Sequence, residues 1–219
     1  MNEGCLQSAA RIRAAIVAHS CSPDDFRAAF LDVPFLDRDA WVDAVFGLDE
    51  LLPDGAELPK GCVPYLPSAV EALHCLADKV PMQSGDVWVD VGSGVGRAAV
   101  FMHLLKGVPV LGIEVQSAHL HAAKALVERL GLSDVSFVLG DVLEVEPEFA
   151  RGTVFFLYCP FSGERLLRTL AMLEKVAQRR MIWVCTLDLP LPECGWIEPV
   201  LDERTDLRIY RSTVTERRR

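Results

Sequence analysis

The sequence predicts an α/β fold: a doubly wound, mostly parallel sheet of seven strands with a C-terminal antiparallel hairpin, preceded by a small helical extension. Five short apolar runs between residues 87 and 187 alternate with helical patterns. These runs are apolar on both faces, which is typical of a parallel sheet covered by helices. Two more strand patterns, 196–203 and 206–214, then follow one another without a helix between them.

The chain changes character near residue 60, so we predict a helical N-terminal extension or cap over 1–60 and an α/β domain over 61–219. Residues 1–20 read as an amphipathic helix. In the next helix Ser22 is the expected N-cap, with Pro23 in the first turn. A third pattern begins with Asp37 and stops at Gly47, a residue suited to a helix C-terminus. A fourth helical pattern begins at Pro67.

The elements of the α/β domain follow in strict order as far as residue 187. Strands are predicted at 87–91, 108–114, 135–141, 153–160 and 181–187, and helices at 96–106, 117–130 and 163–179. Crossovers between such parallel strands are right-handed.

Composition narrows the class of protein. The formal net charge of −9 disfavours unspecific binding to nucleic acid, and no apolar run approaches the ~20 residues that a bilayer requires. The N-terminus lacks the pattern of a signal peptide, so we expect a cytoplasmic protein with no membrane partner. Seven cysteines without a CxxC pair, and histidines without ligand spacing, predict neither a disulfide framework nor a metal site.

A glycine-rich turn follows the first strand of the domain. Asp90, Gly92, Gly94 and Gly96 form the pattern D-x-G-x-G-x-G, at the sheet edge where open α/β folds bind ligands. A dinucleotide-binding loop would place its third glycine at position 97, which is Arg97 here. The carboxylate of Asp90 would repel a pyrophosphate but would suit a ligand that carries an ammonium group.

Acidic residues also close the next two strands. Glu114 is placed to accept hydrogen bonds from both hydroxyls of a ribose, and Asp141 from the exocyclic amine of an adenine. An ammonium group, a ribose without phosphate and an adenine together describe S-adenosylmethionine.

On these motifs the chain resembles the class I S-adenosylmethionine-dependent methyltransferases, with a Rossmann-like domain over residues 61–219. The resemblance implies that Asp90 and the glycine loop, with Ser93, hold the methionine part of the cofactor. It implies that Glu114 and Val115 lie at the ribose, and Asp141 and Val142 at the adenine.

A second resemblance, to the non-SET lysine methyltransferases, rests on "YLPSAVEALHCLAD" followed by "VDVGSGVGRAAVF" and "GIEVQ". It implies that Tyr65 and Gln116 join the cofactor pocket. Tyr158 and Phe161 follow strand four, where the methyl acceptor lies in this family, and Tyr158 also adjoins the cofactor. Strand four ends in "YCPF" rather than the Asn/Asp-Pro-Pro-Tyr/Phe of many amino-group methylating members, so the acceptor class stays open.

We therefore expect a methyltransferase whose acceptor is a protein lysine, another amine or a small molecule rather than nucleic acid. Two alternatives stay open: a module that binds the cofactor without turnover, and a nicotinamide-dependent oxidoreductase. Arg97 has two interpretations, a partner of the methionine carboxylate or a solvent-facing residue. Asp188 is a weaker acceptor-site candidate, His119 is interpreted as a packing or surface residue, and a homodimer is left open.

Overall fold

The structure, a computed structural model, describes residues 1–48, 52–55, 58–201 and 206–213. It contains a seven-stranded sheet in the order β3-β2-β1-β4-β5-β7-β6. The first five strands are parallel to one another, and β7 pairs antiparallel with both β5 and β6. The predicted fold class is confirmed, including the antiparallel hairpin at the end of the chain.

The strands are short, and the helices lie between them in the predicted order. The strands are β1 Trp88–Val91, β2 Val110–Glu114, β3 Val135–Leu139, β4 Val154–Tyr158, β5 Trp183–Leu187, β6 Ile197–Leu201 and β7 Leu207–Ser212. The helices are α1 Glu3–Val17, α2 Pro23–Asp32, α3 Arg38–Phe46, α4 Val70–Lys79, α5 Arg97–Lys106, α6 Ser117–Leu130, α7 Glu146–Phe149 and α8 Gly163–Ala177. The one-turn helix α7 had no counterpart among the sequence predictions.

Local signals set several helix ends. The Ser22 hydroxyl accepts from the backbone N–H of Asp25, whose carboxylate accepts from the N–H of Ser22 in return, so a full capping box begins α2. Gly47 ends α3 with φ +68°, a left-handed conformation that glycine adopts without steric cost. Asp37 directly precedes α3, as the pattern predicts, but it also ends a short 3₁₀ turn, Phe35–Asp37, and its side chain makes no capping hydrogen bond.

The fourth helix begins at Val70 rather than at Pro67. The preceding segment is held extended by tertiary contacts: the carbonyl of Ser68 accepts from Arg97, and the Asp39 carboxylate accepts from the N–H of Val70. Contacts distant in sequence override the local helical pattern here.

The N-terminal helices share a hydrophobic core with one face of the sheet. Phe26 and Phe30 of α2 pack edge-on against Phe101 of α5, and both contact Trp41 of α3. All four side chains are fully buried. Burial of such large aromatic surfaces holds α2 and α3 firmly against α5, the helix that follows the glycine loop. In the part of the chain that the structure describes, no helix is both long and apolar enough to cross a membrane.

Candidate functional site

A cleft opens at the carboxyl ends of the parallel strands, between the glycine turn and the segment that precedes α4. Eleven of the residues predicted for the site line it: Tyr65, Asp90, Gly92, Ser93, Glu114, Val115, Gln116, Asp141, Val142, Tyr158 and Phe161. Gly94 and Gly96 do not line it. Asp188, Arg97 and Arg165 also border the cleft.

Asp90 lies at the end of the cleft nearest the first turn of α5. Asp90 is 3% exposed, and its Oδ2 atom has no hydrogen-bond partner. Burial raises the pKa of this carboxyl to about 7; repulsion from Glu114 adds to the shift, and the backbone N–H of Ala99 opposes it. A buried carboxylate oxygen without a partner is costly, and a cationic ligand group would remove that cost.

Glu114 is also buried, but both of its oxygens accept hydrogen bonds from the backbone. Oε2 accepts from the N–H of Gly94 at 2.7 Å, and Oε1 accepts from the N–H of Gln116 at 2.7 Å. The side chain thereby ties the glycine turn to the end of β2. Each oxygen keeps a second lone pair, so the carboxylate can still accept from hydroxyl groups in the cleft.

The space beside two of the three turn glycines is filled by the protein itself. A Cβ atom on Gly94 would lie 2.1 Å from Cε2 of Tyr65, and one on Gly96 would lie 2.6 Å from Cζ of Phe137. The family resemblance assigns these glycines to the cofactor pocket. In the structure they leave room for aromatic rings, and Gly92 alone of the three borders the cleft.

Gln116 holds the segment that precedes α4, residues 52–55 and 58–69 of the described chain, over the cleft. Its side-chain oxygen accepts from the N–H of Gly55 at 2.6 Å, and its amide donates to Asp54 at 2.7 Å. Asp54 in turn accepts from the N–H of Tyr65 at 3.0 Å. Sequence reasoning placed Tyr65 and Gln116 in the same pocket, and the structure brings them together through Asp54, which the sequence did not indicate.

His119 of α6 is fully buried, and its ring lies 5.1 Å from that of Tyr65. Its Nε2 atom is 3.3 Å from the carbonyl of Leu52. His119 therefore packs inside the protein, which is one of the two roles predicted for it.

Asp141 follows β3 and is paired within the protein. Its Oδ1 accepts from the N–H of Leu143 at 3.0 Å, and its Oδ2 accepts from the guanidinium of Arg165 in the first turn of α8. This ion pair encloses the end of the cleft at β3, where we predicted the adenine. Sequence reasoning missed Arg165, because nothing in its local pattern sets it apart from other helix-surface arginines.

Aromatic and acidic groups meet where β4 and β5 end. Tyr158 closes β4, Phe161 is buried, and the exposed Asp188 follows β5. Burial raises the pKa of the Tyr158 phenol, and the nearby Asp188 adds to that shift. Cys159 and Asp188, which both line the cleft, have φ values of +39° and +51°, strained conformations for residues with a Cβ.

The segment before α4 also covers this end of the cleft. Cys62 forms an antiparallel bridge with Phe161, and the N–H of Val63 donates to the carbonyl of Pro160 at 3.0 Å. The chain after β4 is therefore held by the same segment that carries Tyr65.

Arg97 does not face solvent, because it is buried and bound by other protein groups; it borders the cleft, so its interpretation as a partner of the methionine carboxylate stays a prediction. Its Nε donates to Asp43 at 2.5 Å, its Nη2 to the Asp39 carboxylate at 2.9 Å, and its Nη1 to the Ser68 carbonyl at 2.7 Å. Asp39 and Asp43 belong to α3, so the N-terminal extension reaches the edge of the cleft.

The residues of the cleft fit S-adenosylmethionine. Oδ2 of Asp90 and Oγ of Ser93 are buried and have no hydrogen-bond partner in the protein, so polar groups of a ligand could pair with them. Glu114, Asp141 and Val142 follow along the neighbouring strand ends in the order that ribose and adenine require. Within the described ranges, no group of three His, Cys, Asp or Glu side chains could hold a metal ion.

The chain also matches the model of a known protein family. The family model described as Protein-L-isoaspartate(D-aspartate) O-methyltransferase (PCMT) matches residues 29–150, which is more than half of the chain. The matched region holds the glycine turn and all three strand-end carboxylates.

Similar proteins of known name are methyltransferases as well, although the matches are partial. Methyltransferase phqN of Penicillium fellutanum is 32% identical over 84 residues, which cover 38% of this chain and 26% of that protein. Sterol 24-C-methyltransferase ERG6 of Saccharomyces cerevisiae is 36% identical over 76 residues, which cover 34% and 20%. The matches thus span about a quarter or less of these relatives.

Solved structures share the fold. An RNA methyltransferase from Salinibacter ruber, in complex with S-adenosyl-L-homocysteine, aligns with a TM-score of 0.55 at 21% identity, covering 69% of this chain and 95% of that one. The methyltransferase yhhF from Escherichia coli, named there as putative, aligns with a TM-score of 0.56 at 16% identity, covering 72% and 91%. At these identities the likeness shows a common fold.

Proposed function

This chain belongs to the Protein-L-isoaspartate(D-aspartate) O-methyltransferase (PCMT) family, and on that premise we propose that it is an S-adenosylmethionine-dependent methyltransferase. The motif resemblance to class I methyltransferases and the shared fold support the same activity.

Asp90 is the observation that carries the proposal. This carboxylate is 3% exposed, with an orphaned oxygen and a pKa raised to about 7; it accepts from the backbone N–H of Ala99, but no cation among the described residues pairs with it as a partner. A ligand ammonium group would supply that partner. A nicotinamide dinucleotide would instead bring its pyrophosphate to this turn, where the carboxylate would repel it.

The bound cofactor supplies a methyl group on a sulfonium, which is transferred by an in-line displacement. The work of this chain is to bind, align and exclude water. Glu114 holds the middle glycine of the turn, Gly94, and Asp90 contacts the first turn of α5. The segment carrying Tyr65 covers the cleft, and Tyr158 and Phe161 border the place where an acceptor would approach. A strong general base is needed only for an acceptor that must first lose a proton.

For the acceptor we propose an amine or another small or cationic group rather than nucleic acid. Asp188 lies at the open end of the cleft, and its carboxylate raises the pKa of Tyr158. The first sixty residues carry eleven Asp and Glu against five Lys and Arg, a net of −6. Such a surface attracts cations and repels phosphate backbones.

The family match favours a second candidate, a protein carboxylate, because the name of the family describes O-methylation of isoaspartate. The two acceptor classes give products of different stability. A carboxyl methyl ester releases methanol in mild base, whereas an N-methyl group does not. Incubation of peptide and amine libraries with methyl-labelled cofactor, followed by base treatment, separates them: retained label supports the amine, and released label supports the carboxylate.

The activity itself is tested first by isothermal titration calorimetry with S-adenosylmethionine and S-adenosylhomocysteine, beside Asp90→Ala and Glu114→Ala. Micromolar binding that both variants lose supports the proposal. Affinity for a nicotinamide dinucleotide alone would support the oxidoreductase instead. Binding without consumption of cofactor across the acceptor libraries would favour a module without turnover.

A cytoplasmic location completes the proposal. No disulfide joins cysteines of the described residues, which suits a reducing compartment. Association into a homodimer is proposed only as an open possibility, to be tested by light scattering.

A further inference from the structure

The segment that precedes α4 is held on both sides of the cleft. On the side of β4, the N–H of Val63 donates to the carbonyl of Pro160 at 3.0 Å. On the side of β2, a single oxygen makes the link: Oδ1 of Asp54 accepts from the N–H of Tyr65 at 3.0 Å and from the side-chain amide of Gln116 at 2.7 Å. Asp54 itself is exposed and does not line the cleft, so its contacts act on residues that do.

The link through Asp54 completes a ring of contacts that begins and ends at Glu114. One oxygen of Glu114 accepts from the N–H of Gln116, and the other accepts from the N–H of Gly94. The ring of Tyr65 occupies the space beside Gly94 where a side chain would lie. Because Asp54 accepts from both Tyr65 and Gln116, it joins the cover of the cleft to the turn that follows β2.

We propose that Asp54 is a positioning residue for cofactor binding, and that it acts by holding Tyr65 in place as a wall of the cleft. The proposal rests on the proposed function. A wall that is already held in position loses little conformational freedom when a ligand binds, and this strengthens binding. Both donors meet Oδ1 of Asp54, so the role needs a hydrogen-bond acceptor at that atom and not a negative charge.

This distinction makes the test specific. Asp54→Ala removes the acceptor, whereas Asp54→Asn keeps a carbonyl oxygen that can accept from both donors. Gln116→Leu breaks the link from its other side and leaves the backbone N–H that Glu114 accepts. The matched control is Asp86→Ala, because Asp86 also accepts from a backbone N–H in a loop, that of Gln83 at 2.7 Å, but does not line the cleft.

Titration calorimetry measures the affinity of each variant for S-adenosylhomocysteine, stopped-flow displacement measures its dissociation rate, and urea denaturation checks that each variant is folded. Asp54→Ala and Gln116→Leu should each weaken binding at least about tenfold, mainly through faster dissociation. Asp54→Asn should stay within about threefold of the wild type, since it keeps both hydrogen bonds. Asp86→Ala should bind as the wild type does.

A double variant tests whether Asp54 acts through Tyr65. Tyr65→Ala should itself weaken binding, and adding Asp54→Ala to it should change the affinity by less than about threefold, because the side chain to be positioned is gone. Losses that simply add would overturn this route, since Asp54 would then act independently of the ring.

Unchanged affinity in folded Asp54→Ala or in folded Gln116→Leu overturns the proposal, because the link would then support only the fold. An equal loss in Asp54→Asn and Asp54→Ala overturns it too, since charge rather than the hydrogen bonds would be what matters. Failure of the wild-type protein to bind S-adenosylhomocysteine is a different outcome, because it refutes the proposed function itself.

Discussion

The ring of Tyr65 stands where a side chain at Gly94 would stand, with Cε2 only 2.1 Å from the position of the missing Cβ. Burial raises the pKa of the Tyr65 phenol above its usual value, so the ring packs as an uncharged wall of the cleft. The second glycine of the turn thus lets the chain close over its own binding loop.

The first prediction concerns this packing. Gly94→Ala should lower the free energy of unfolding by roughly 1–3 kcal/mol, because the new Cβ meets the ring and the backbone has φ +53°. Combining it with Tyr65→Ala should cost less than the sum of the two single changes, with a coupling above about 0.5 kcal/mol. Urea denaturation of the four proteins measures this cycle, and strictly additive values would contradict the contact.

The second prediction concerns Asp90. Its pKa of about 7 in the folded protein lies above the value of an unfolded aspartate, so the folded state binds more protons between about pH 4 and pH 7. Stability from this group is therefore present at low pH and is lost as the pH rises through 7. Asp90→Asn should raise the free energy of unfolding at pH 8 by on the order of 1–3 kcal/mol, and by much less at pH 4.

The same variant should abolish binding of S-adenosylhomocysteine, so stability and affinity move in opposite directions. Denaturation at the two pH values and calorimetry at pH 8 measure both. Asp32→Asn, an exposed acid of α2, is the control and should change neither quantity. A destabilised Asp90→Asn protein at pH 8 would show that contacts of the carboxylate within the protein outweigh the cost of its burial.

The third prediction concerns Glu114. A glutamine amide places a donor against one of the two backbone N–H groups that Glu114 accepts, at Gly94 or Gln116. Glu114→Gln should therefore weaken S-adenosylhomocysteine and 5′-methylthioadenosine alike, by at least about tenfold, since a buried donor left unsatisfied costs ~1–3 kcal/mol. The exposed Glu128→Gln serves as the control. Loss confined to one ligand would indicate a different placement of the ribose.

The fourth prediction concerns the end of the cleft at β3. An ionised Asp141 only accepts hydrogen bonds, so it should prefer a 6-aminopurine to a 6-oxopurine. The wild type should bind S-adenosylhomocysteine at least about tenfold more tightly than S-inosylhomocysteine, and Asp141→Asn should reduce that preference below about threefold. Asp188→Asn, at the other end of the cleft, should keep it. An unchanged preference in Asp141→Asn would place the base elsewhere.

Much of the fold could be predicted from short stretches of sequence. The apolar runs that became β1, β2 and β4 are buried at nearly every position, so their pattern is strong, and the capping box at Ser22 and the glycine at 47 act within one helical turn. Asp37 precedes α3 as its pattern predicts, but its side chain makes no capping hydrogen bond, because Asp37 also belongs to a 3₁₀ turn.

For the candidate site as well, the sequence predicts some residues and not others. Acidic residues at successive strand ends are read from the chain, because parallel strands bring their carboxyl ends to one edge. The partners of those residues are not, because they come from distant elements: Arg165 from α8 for Asp141, Asp54 for Gln116, and α3 for Arg97. No periodicity or motif encodes a contact between side chains 20 or more positions apart.

The sequence by itself determined the doubly wound architecture, the glycine turn and the identity of the carboxylates that face the cleft, since these follow from local hydrophobic patterning and turn chemistry. Only the tertiary structure decided that Tyr65 fills the space above Gly94 and that Arg97 pairs with Asp39 and Asp43 of the N-terminal extension. Packing and charge pairing decide such choices, because a buried group takes whichever partner the folded chain brings within hydrogen-bonding distance.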